Sequence, residues 1–449
     1  MAPVFTATLL RESLMRLLGD ARAQRCCVAF SGGVDSTALL HALSELRADL
    51  GLTLRAAHVN HHLQPRADDW AAHCRQVGAR LGVPLDVLDV DLRASRGESP
   101  EAAARAARYA AIARHLGPAE HLITAHHRED QLETILLRLL RGAGAAGLGG
   151  MPEAAPFGTA LLLRPLLGVE HVALVAYCQA AQLEWIDDSS NMDVRFDRNF
   201  LRQRVIPVLR ERWPAVADCV ARSGSHLTEA RWLLDERAQE DLALARDGEG
   251  LRVPALRALA PARARNLLRF WIESAGQPAP SSAMLEQAMA QMLGARPDAM
   301  PLVVLGERQL RRYRDMLYLC APPPAAPRHA MTWAWSEQRE LALPDGLGRL
   351  RVRAAQEGEA ALDLPAGPLS VSWQASGLKV QVAVRGSRRA LRNLYQERGI
   401  VPWMRPLLPL VFCEDSLLAV GDLWSDVKFH APAGKPGMLI EWLDAPRLV

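Results

Sequence analysis

Residues 31–36 read SGGVDS, a set of types that can grip phosphate without a basic side chain. Gly32 and Gly33 let backbone N–H groups approach oxygen atoms with no Cβ in the way. Ser31, Ser36 and Thr37 add hydroxyl donors. A helix N-terminus offers unpaired N–H groups and a partial positive charge, which suits an anion. Asp35 is out of place for direct anion contact, so it holds a metal or orients the loop. A bare glycine pair would mean only a tight turn with Asp35 as a helix cap; six specified residues at a strand–helix junction favour a nucleotide loop. The segment has neither the lysine of a Walker A motif nor the spacing G-x-G-x-x-G. Lysine occurs only at Lys379, Lys428 and Lys435, against 50 arginines, so a phosphate site in the first 378 residues must use backbone amides, arginine or a metal.

A second stretch, TAHHREDQLE (124–133), carries two histidines and two spaced acids. Asp130 and Glu133 stand three apart near a helix start and share a face, where the macrodipole alone would favour acids. His126 falls at the end of a strand. His126 and His127 are the right types for metal ligation, but no third ligand is spaced for zinc, so a polar strand end is the expectation. Arg105 and Arg108 lie with Glu101 on a helix in SPEAAARAARY (99–109), by default a solvated face.

The elements that must position these residues alternate. CCVAF, LTLRAAHV, PLDVLDV and HLITAHH read as strands, and 36–49, 66–81, 99–116 and 129–141 as helices. Such alternation predicts an α/β fold, a doubly wound parallel sheet covered on both faces, with ligands at the carboxyl ends of its strands. The stretch 141–158 is a glycine-rich break; its 142–150 part is equally a flap or a plain linker. LLLRPLL, a helix from Val169 to about Gln182, a polar loop and a helical segment FLRQRVIPVLRERW complete a domain expected at 1–215. Residues 216–330 are expected to form a helical domain ending in the linker APPPAAPRHA. A small α+β domain is expected at 331–449, with one helix near 387–398.

SGGVDS resembles the pyrophosphate loop of the N-type ATP pyrophosphatases, which cut ATP between the α and β phosphates. With HVNHHLQPRADDW (58–70), the Arg105–Arg108 helix, the 124–151 segment and DDSSNMDVRFDRNFLRQRVIPVL (187–209), the chain resembles the tRNA(Ile)-lysidine synthase family in its long bacterial form. The resemblance is close over 26–210 and elsewhere extends to length and layout. It implies an ATP- and Mg²⁺-dependent ligase that joins free L-lysine to C2 of the wobble cytidine of a CAU-anticodon tRNA(Ile) through an adenylated intermediate, forming lysidine. The loop residues Ser31, Gly32, Gly33, Val34, Asp35 and Ser36 would then bind ATP, with Asp35 on the metal, and His58 and Asn60 would stand at the adenosine. Asp130 and Glu133 would hold lysine, His126 would face the crevice, and Arg105 or Arg108 would meet the α-phosphate or the tRNA. Arg198 and Arg202 would contact tRNA. Between the histidine pair and Asp130 the family carries small or acidic residues; here they are Arg128 and Glu129.

From 366 to 449 there are ten Lys/Arg against seven Asp/Glu, focused in 385–405, which holds six arginines, Tyr395 and Trp403 against one glutamate. Guanidinium forks with aromatic faces suit phosphates and unpaired bases, so Arg388, Arg389 and Arg392 are assigned to tRNA. A net charge of +3 makes no general case for a polyanion partner. Seven dispersed cysteines without a C-x-x-C predict reduced thiols, and the absence of a signal-peptide pattern or a bilayer-length apolar run predicts a cytoplasmic protein with no membrane partner. Oligomeric state is open, a homodimer included. Two rivals are a tRNA thiolase, whose relatives carry C-x-x-C pairs, and an ATP- and RNA-binding chaperone that would release no pyrophosphate.

Overall fold

The computed structural model describes residues 4–62, 66–90, 100–188, 192–296, 299–356, 359, 361–432 and 435–446. Ser99, residues 63–65 and part of the polar loop (189–191), all within the motifs above, lie outside them. The chain divides into two compact units, Met1–Leu233 and Leu234–Val449.

The first unit is built on a six-stranded sheet in the order β3-β2-β1-β4-β6-β5. Its strands are β1 (Arg25–Ala29), β2 (Thr53–Asn60), β3 (Leu85–Asp89), β4 (Glu120–Ile123), β5 (Ala154–Phe157) and β6 (Ala160–Leu163). The pairings from β3 across to β6 are parallel, as expected, but β5 joins the edge antiparallel to β6. That strand lies inside the glycine-rich break: the break ends in a hairpin whose turn, Gly158 and Thr159, is too short for anything but an antiparallel return. The connections are α1 (Ala7–Leu18), α2 (Val34–Leu50), α3 (Ala67–Arg80), α4 (Pro100–His115), α5 (Arg128–Leu140), the short α6 (Ala145–Leu148) and α7 (His171–Ala180). Cys26, Cys27 and Val28 of β1 are buried, and Leu10, Leu14, Leu39, Leu40, Leu43, Ile123, Leu163 and Leu174 share its core. Each such side chain contributes about 1.5–3 kcal/mol of apolar burial.

Strand order reverses between β1 and β4: the chain runs outward through β2 and β3, then returns to the far side of β1. Their carboxyl ends therefore frame the crevice where an open α/β sheet binds its ligand. α8 (Asp197–Phe200), a π turn (Leu201–Val205) and α9 (Ile206–Arg212) follow, and α10 (Val216–Ala245) begins after them. The glycine-rich segment is fastened. Arg138 donates to the carbonyls of Gly147 and Gly150, and the Gln131 amide exchanges two hydrogen bonds with Met151.

In the second unit the segment expected to be helical does supply α11 (Val253–Ala258), α12 (Pro261–Ser274) and α13 (Ser282–Gly294). It also carries a five-stranded antiparallel sheet: β7 (Arg246–Asp247), β8 (Gly250–Arg252), β9 (Leu302–Leu305), β10 (Arg308–Tyr313) and β11 (Met316–Cys320). Arg312 disguises the alternation of β10. It points inward, fully buried, and donates to the carbonyls of Met292 and Ala295 at the end of α13. A second core gathers Trp333, Trp373, Leu394, Val411 and Trp442 from short antiparallel strands and α14 (Leu391–Glu397).

Candidate active site

The loop after β1 and the loop after β4 meet at the strand reversal. Gly32 adopts φ +84°, and a Cβ there would stand 2.6 Å from Ile186 Cδ1. Its carbonyl accepts from the Ile186 amide at 2.9 Å. Ser36 Oγ donates to the Gly33 carbonyl at 3.0 Å and lies 3.1 Å from Ser31 Oγ, so the hydroxyls brace the turn as α2 begins.

Two cavities lie by these loops, the first lined by Ser31 and the second by His127. One of about 300 Å³, at the ends of β1 and β2, is lined by Ser31, Phe30, His58, Trp70, Ile112 and Arg108, among others. His58 is held by its Nδ1 against the Phe30 carbonyl at 3.0 Å, and burial lowers its basicity, so the ring is neutral. Arg108 borders this cavity whereas Arg105 does not: its guanidinium lies over the Tyr109 ring of its own helix, and its charge bears on His126. His126 is pushed down to about 3 by burial, with Nδ1 2.8 Å from Thr124 Oγ1.

The other cavity, of about 510 Å³, is walled by His127, His171, Glu129, Glu133, Glu170, Arg202, Arg210 and Asp218. His127 caps α5 and is buried; its Nδ1 lies 3.1 Å from Glu129 Oε2. Burial pushes its imidazole down, but the hydrogen bond to Glu129 and the charges of Asp130 and Asp35 outweigh it and raise it to about 8. Burial also pushes Asp35 up, against the pull of His127 and His171. Asp130 reaches back to the His127 amide at 3.1 Å.

Asp130 and Glu133 share a face, as their spacing requires, but guanidiniums cover them. Arg202 donates to both oxygens of Glu133 at 2.6 and 3.0 Å and to Asp130 at 3.3 Å, and Arg198 donates to Glu133 at 3.0 Å and to Thr134. Glu133 is 0% exposed. Arg198 and Arg202 thus stand beside the two acids in the same site. Arg388, Arg389 and Arg392 lie in the second unit. Arg388 donates to the Lys379 carbonyl at 3.0 Å, Arg389 pairs with Glu397, and Arg392 is exposed. Tyr395, expected to offer a stacking face, is instead buried in that unit's core against Trp424, because its position on α14 points inward. Trp403 is half-buried under the Arg311 guanidinium.

Residue spacing gives no sign of His171, Glu170, Arg210 or Asp218. They enter from α7, α9 and α10, far along the chain, and only the fold unites them. All seven cysteines are free; burial pushes Cys26 and Cys27 up to about 12, which makes them inert.

A PP-loop domain model matches residues 7–209, a TilS substrate binding domain 251–318 and a TilS substrate C-terminal domain 369–442. The chain is 44% identical over 437 residues to the tRNA(Ile)-lysidine synthase of Alkalilimnicola ehrlichii, covering 97% of each chain. It is 40% identical to that of Methylococcus capsulatus (92% of this chain, 95% of the relative) and 42% identical to that of Serratia proteamaculans (96% and 98%).

Proposed function

The chain belongs to the tRNA(Ile)-lysidine synthase family, an ATP-dependent ligase, and from that premise we propose how its own residues divide the reaction. Adenosine enters the 300 Å³ cavity between Phe30, Ile112 and Arg108. The phosphates then lie over Ser31–Ser36, where the amides opening α2 face the leaving pyrophosphate. Asp35 fits a magnesium that arrives with nucleotide: its Oδ1 is buried without a hydrogen-bond partner, and one carboxylate plus phosphate oxygens is a donor set magnesium accepts. Bound there, the ion would neutralise phosphate charge. The C2 oxygen of the wobble cytidine attacks the α-phosphorus, the bond to the β-phosphate oxygen breaks, and the cytidine is adenylated. The lysine ε-ammonium gives up a proton to water, and the free amine bonds to C2 as AMP leaves with the oxygen.

Free L-lysine is assigned to the 510 Å³ cavity. Arg202 and Arg210 face its carboxylate, while Glu170, Asp218 and the field of Asp130 and Glu133 favour its ammonium groups. Asp130 and Glu133 also fix Arg198 and Arg202, through which tRNA phosphates would be met. Arg388, Arg389 and Arg392 supply a separate tRNA contact. Among the described residues no helix is long and apolar enough to cross a membrane, and a cytoplasmic setting belongs to the same proposal.

What carries the assignment is one loop that lines the first cavity and touches the wall of the second: Ser31 lines the first, and Asp35 stands 3.6 and 3.5 Å from the two histidines that line the second. Labelled lysine should enter a CAU-anticodon tRNA(Ile) transcript with ATP and Mg²⁺, not an initiator tRNA, and Asp35→Ala should abolish transfer. Pyrophosphate release without lysine transfer would overturn the assignment of the second cavity.

A further inference from the structure

Three metal-ligand side chains from three elements converge beside the nucleotide loop. Asp35 comes from the first turn of α2, His127 from the cap of α5, and His171 from the first residue of α7. Their ligand atoms all lie within 4.8 Å of one another, and no other such group occurs among the described residues. His127 Nε2 is 3.6 Å from Asp35 Oδ2, and His171 Nε2 is 3.5 Å from Asp35 Oδ1. The His171 contact does not satisfy its acceptor, since Asp35 Oδ1 is buried without a hydrogen-bond partner. Ligands about 2.1 Å from one tetrahedral ion stand about 3.4 Å apart, which is the spacing of these pairs.

The surroundings match. His127 turns Nδ1 to Glu129 Oε2, the carboxylate–imidazole arrangement that orients a metal-bound histidine, and its Nε2 faces Asp130 Oδ2 at 3.4 Å as well as Asp35. The same Glu129 oxygen accepts the His171 backbone amide at 3.0 Å, so one carboxylate holds the His127 ring and the start of α7. The His171 side chain is 45% exposed and lines the larger cavity, which leaves an approach for the ion and for a further ligand. Magnesium accepts the carboxylate but not two imidazoles; a borderline transition ion takes all three.

We propose that Asp35, His127 and His171 bind one divalent transition metal ion of the zinc, cobalt or manganese class, with Glu129 as the positioning residue. The inference rests on Asp35 being a metal ligand, as above, and concerns the ion held there before nucleotide brings its magnesium. In the test, full-length protein is stripped with EDTA and titrated with CoCl₂, without nucleotide and in large excess Mg²⁺. One equivalent of cobalt should bind, with visible absorption bands of imidazole ligation that magnesium does not bleach. His171→Ala and the bulkier His171→Gln should each weaken binding at least tenfold, and Glu129→Gln by about ten- to a hundredfold. Far-UV circular dichroism and ATP binding report folding of each variant, so a misfolded His171→Ala leaves His171→Gln to decide. No cobalt band, displacement by magnesium, or unchanged affinity in the folded His171 variant would overturn the proposal. Because the readout needs no nucleotide, cobalt binding without lysine transfer would sink the lysine assignment and leave the metal site standing.

Discussion

Gly32 is constrained twice over. Its φ of +84° disfavours any L side chain, and Ile186 occupies the place of a Cβ. Gly32→Ala should therefore cost roughly 1–2 kcal/mol or more of local strain and sharply weaken ATP binding by calorimetry. Adding Ile186→Ala should restore only part of the affinity, because it removes the clash and leaves the backbone strain. Full restoration would mean that φ is immaterial. Glu133 makes the opposite case, a buried charge held by two guanidiniums. Glu133→Gln should destabilise the chain toward the low end of about 3–5 kcal/mol in urea unfolding, since Arg202 remains partly solvated. Lysine transfer should fall further than ATP binding. Equal losses would assign Glu133 to the fold alone. Spacing makes the shared face of Asp130 and Glu133 legible, but not their cover, because Arg198 and Arg202 approach from 65 to 72 residues away.

At the level of elements, the strands are tied at the end remote from the loop. Arg55 on β2 donates to both oxygens of Glu120 on β4, at 2.7 and 2.6 Å, and to Asp86 on β3 at 3.1 Å, bridging across β1. The hydrogen bond from Arg55 holds the Glu120 carboxyl below its ordinary value, and the one from His115 does the same for Asp86. A depressed carboxyl contributes stability above its unfolded-state value, lost as pH falls through the folded one. Urea midpoints should therefore drop as pH falls below about 4.3. Glu120→Gln should lower the midpoint at neutral pH and flatten that acid limb; an unchanged limb would place the acid sensitivity elsewhere. Arg138 ties the glycine-rich segment through Gly147 and Gly150, and Gly150 (φ +75°) stands so close to Gln131 that a Cβ would meet its amide at 2.7 Å. Arg138→Ala should raise hydrogen exchange over 143–151. Unchanged exchange would show that Gln131 alone holds the segment.

For the whole molecule, Arg388, Arg389 and Arg392 are the proposed tRNA contact that catalysis on ATP does not need. Replacing all three with alanine should weaken tRNA binding and reduce the salt slope by about 0.7–0.9 for each phosphate that is no longer neutralised, leaving ATP affinity intact. An unchanged slope would remove them from the interface. Tyr395→Phe should not alter tRNA affinity, since the ring is buried. What the chain's order of residues determined was local: alternating apolar runs named the first four strands and their helices, and the strand–SGGVDS–helix junction named the phosphate loop. The β10 strand escaped because inward-facing Arg312 breaks the apolar alternation, and no local pattern can reveal a guanidinium satisfied by carbonyls of a distant helix end. The metal-ligand trio shows the limit most clearly. His127 was visible as a ligand type without a third partner, and that partner, His171, lies 44 residues beyond it. Spacing reports neighbours along a helix or strand; convergence of three chain segments on one carboxylate is set by the strand reversal between β1 and β4, which only the tertiary structure decides.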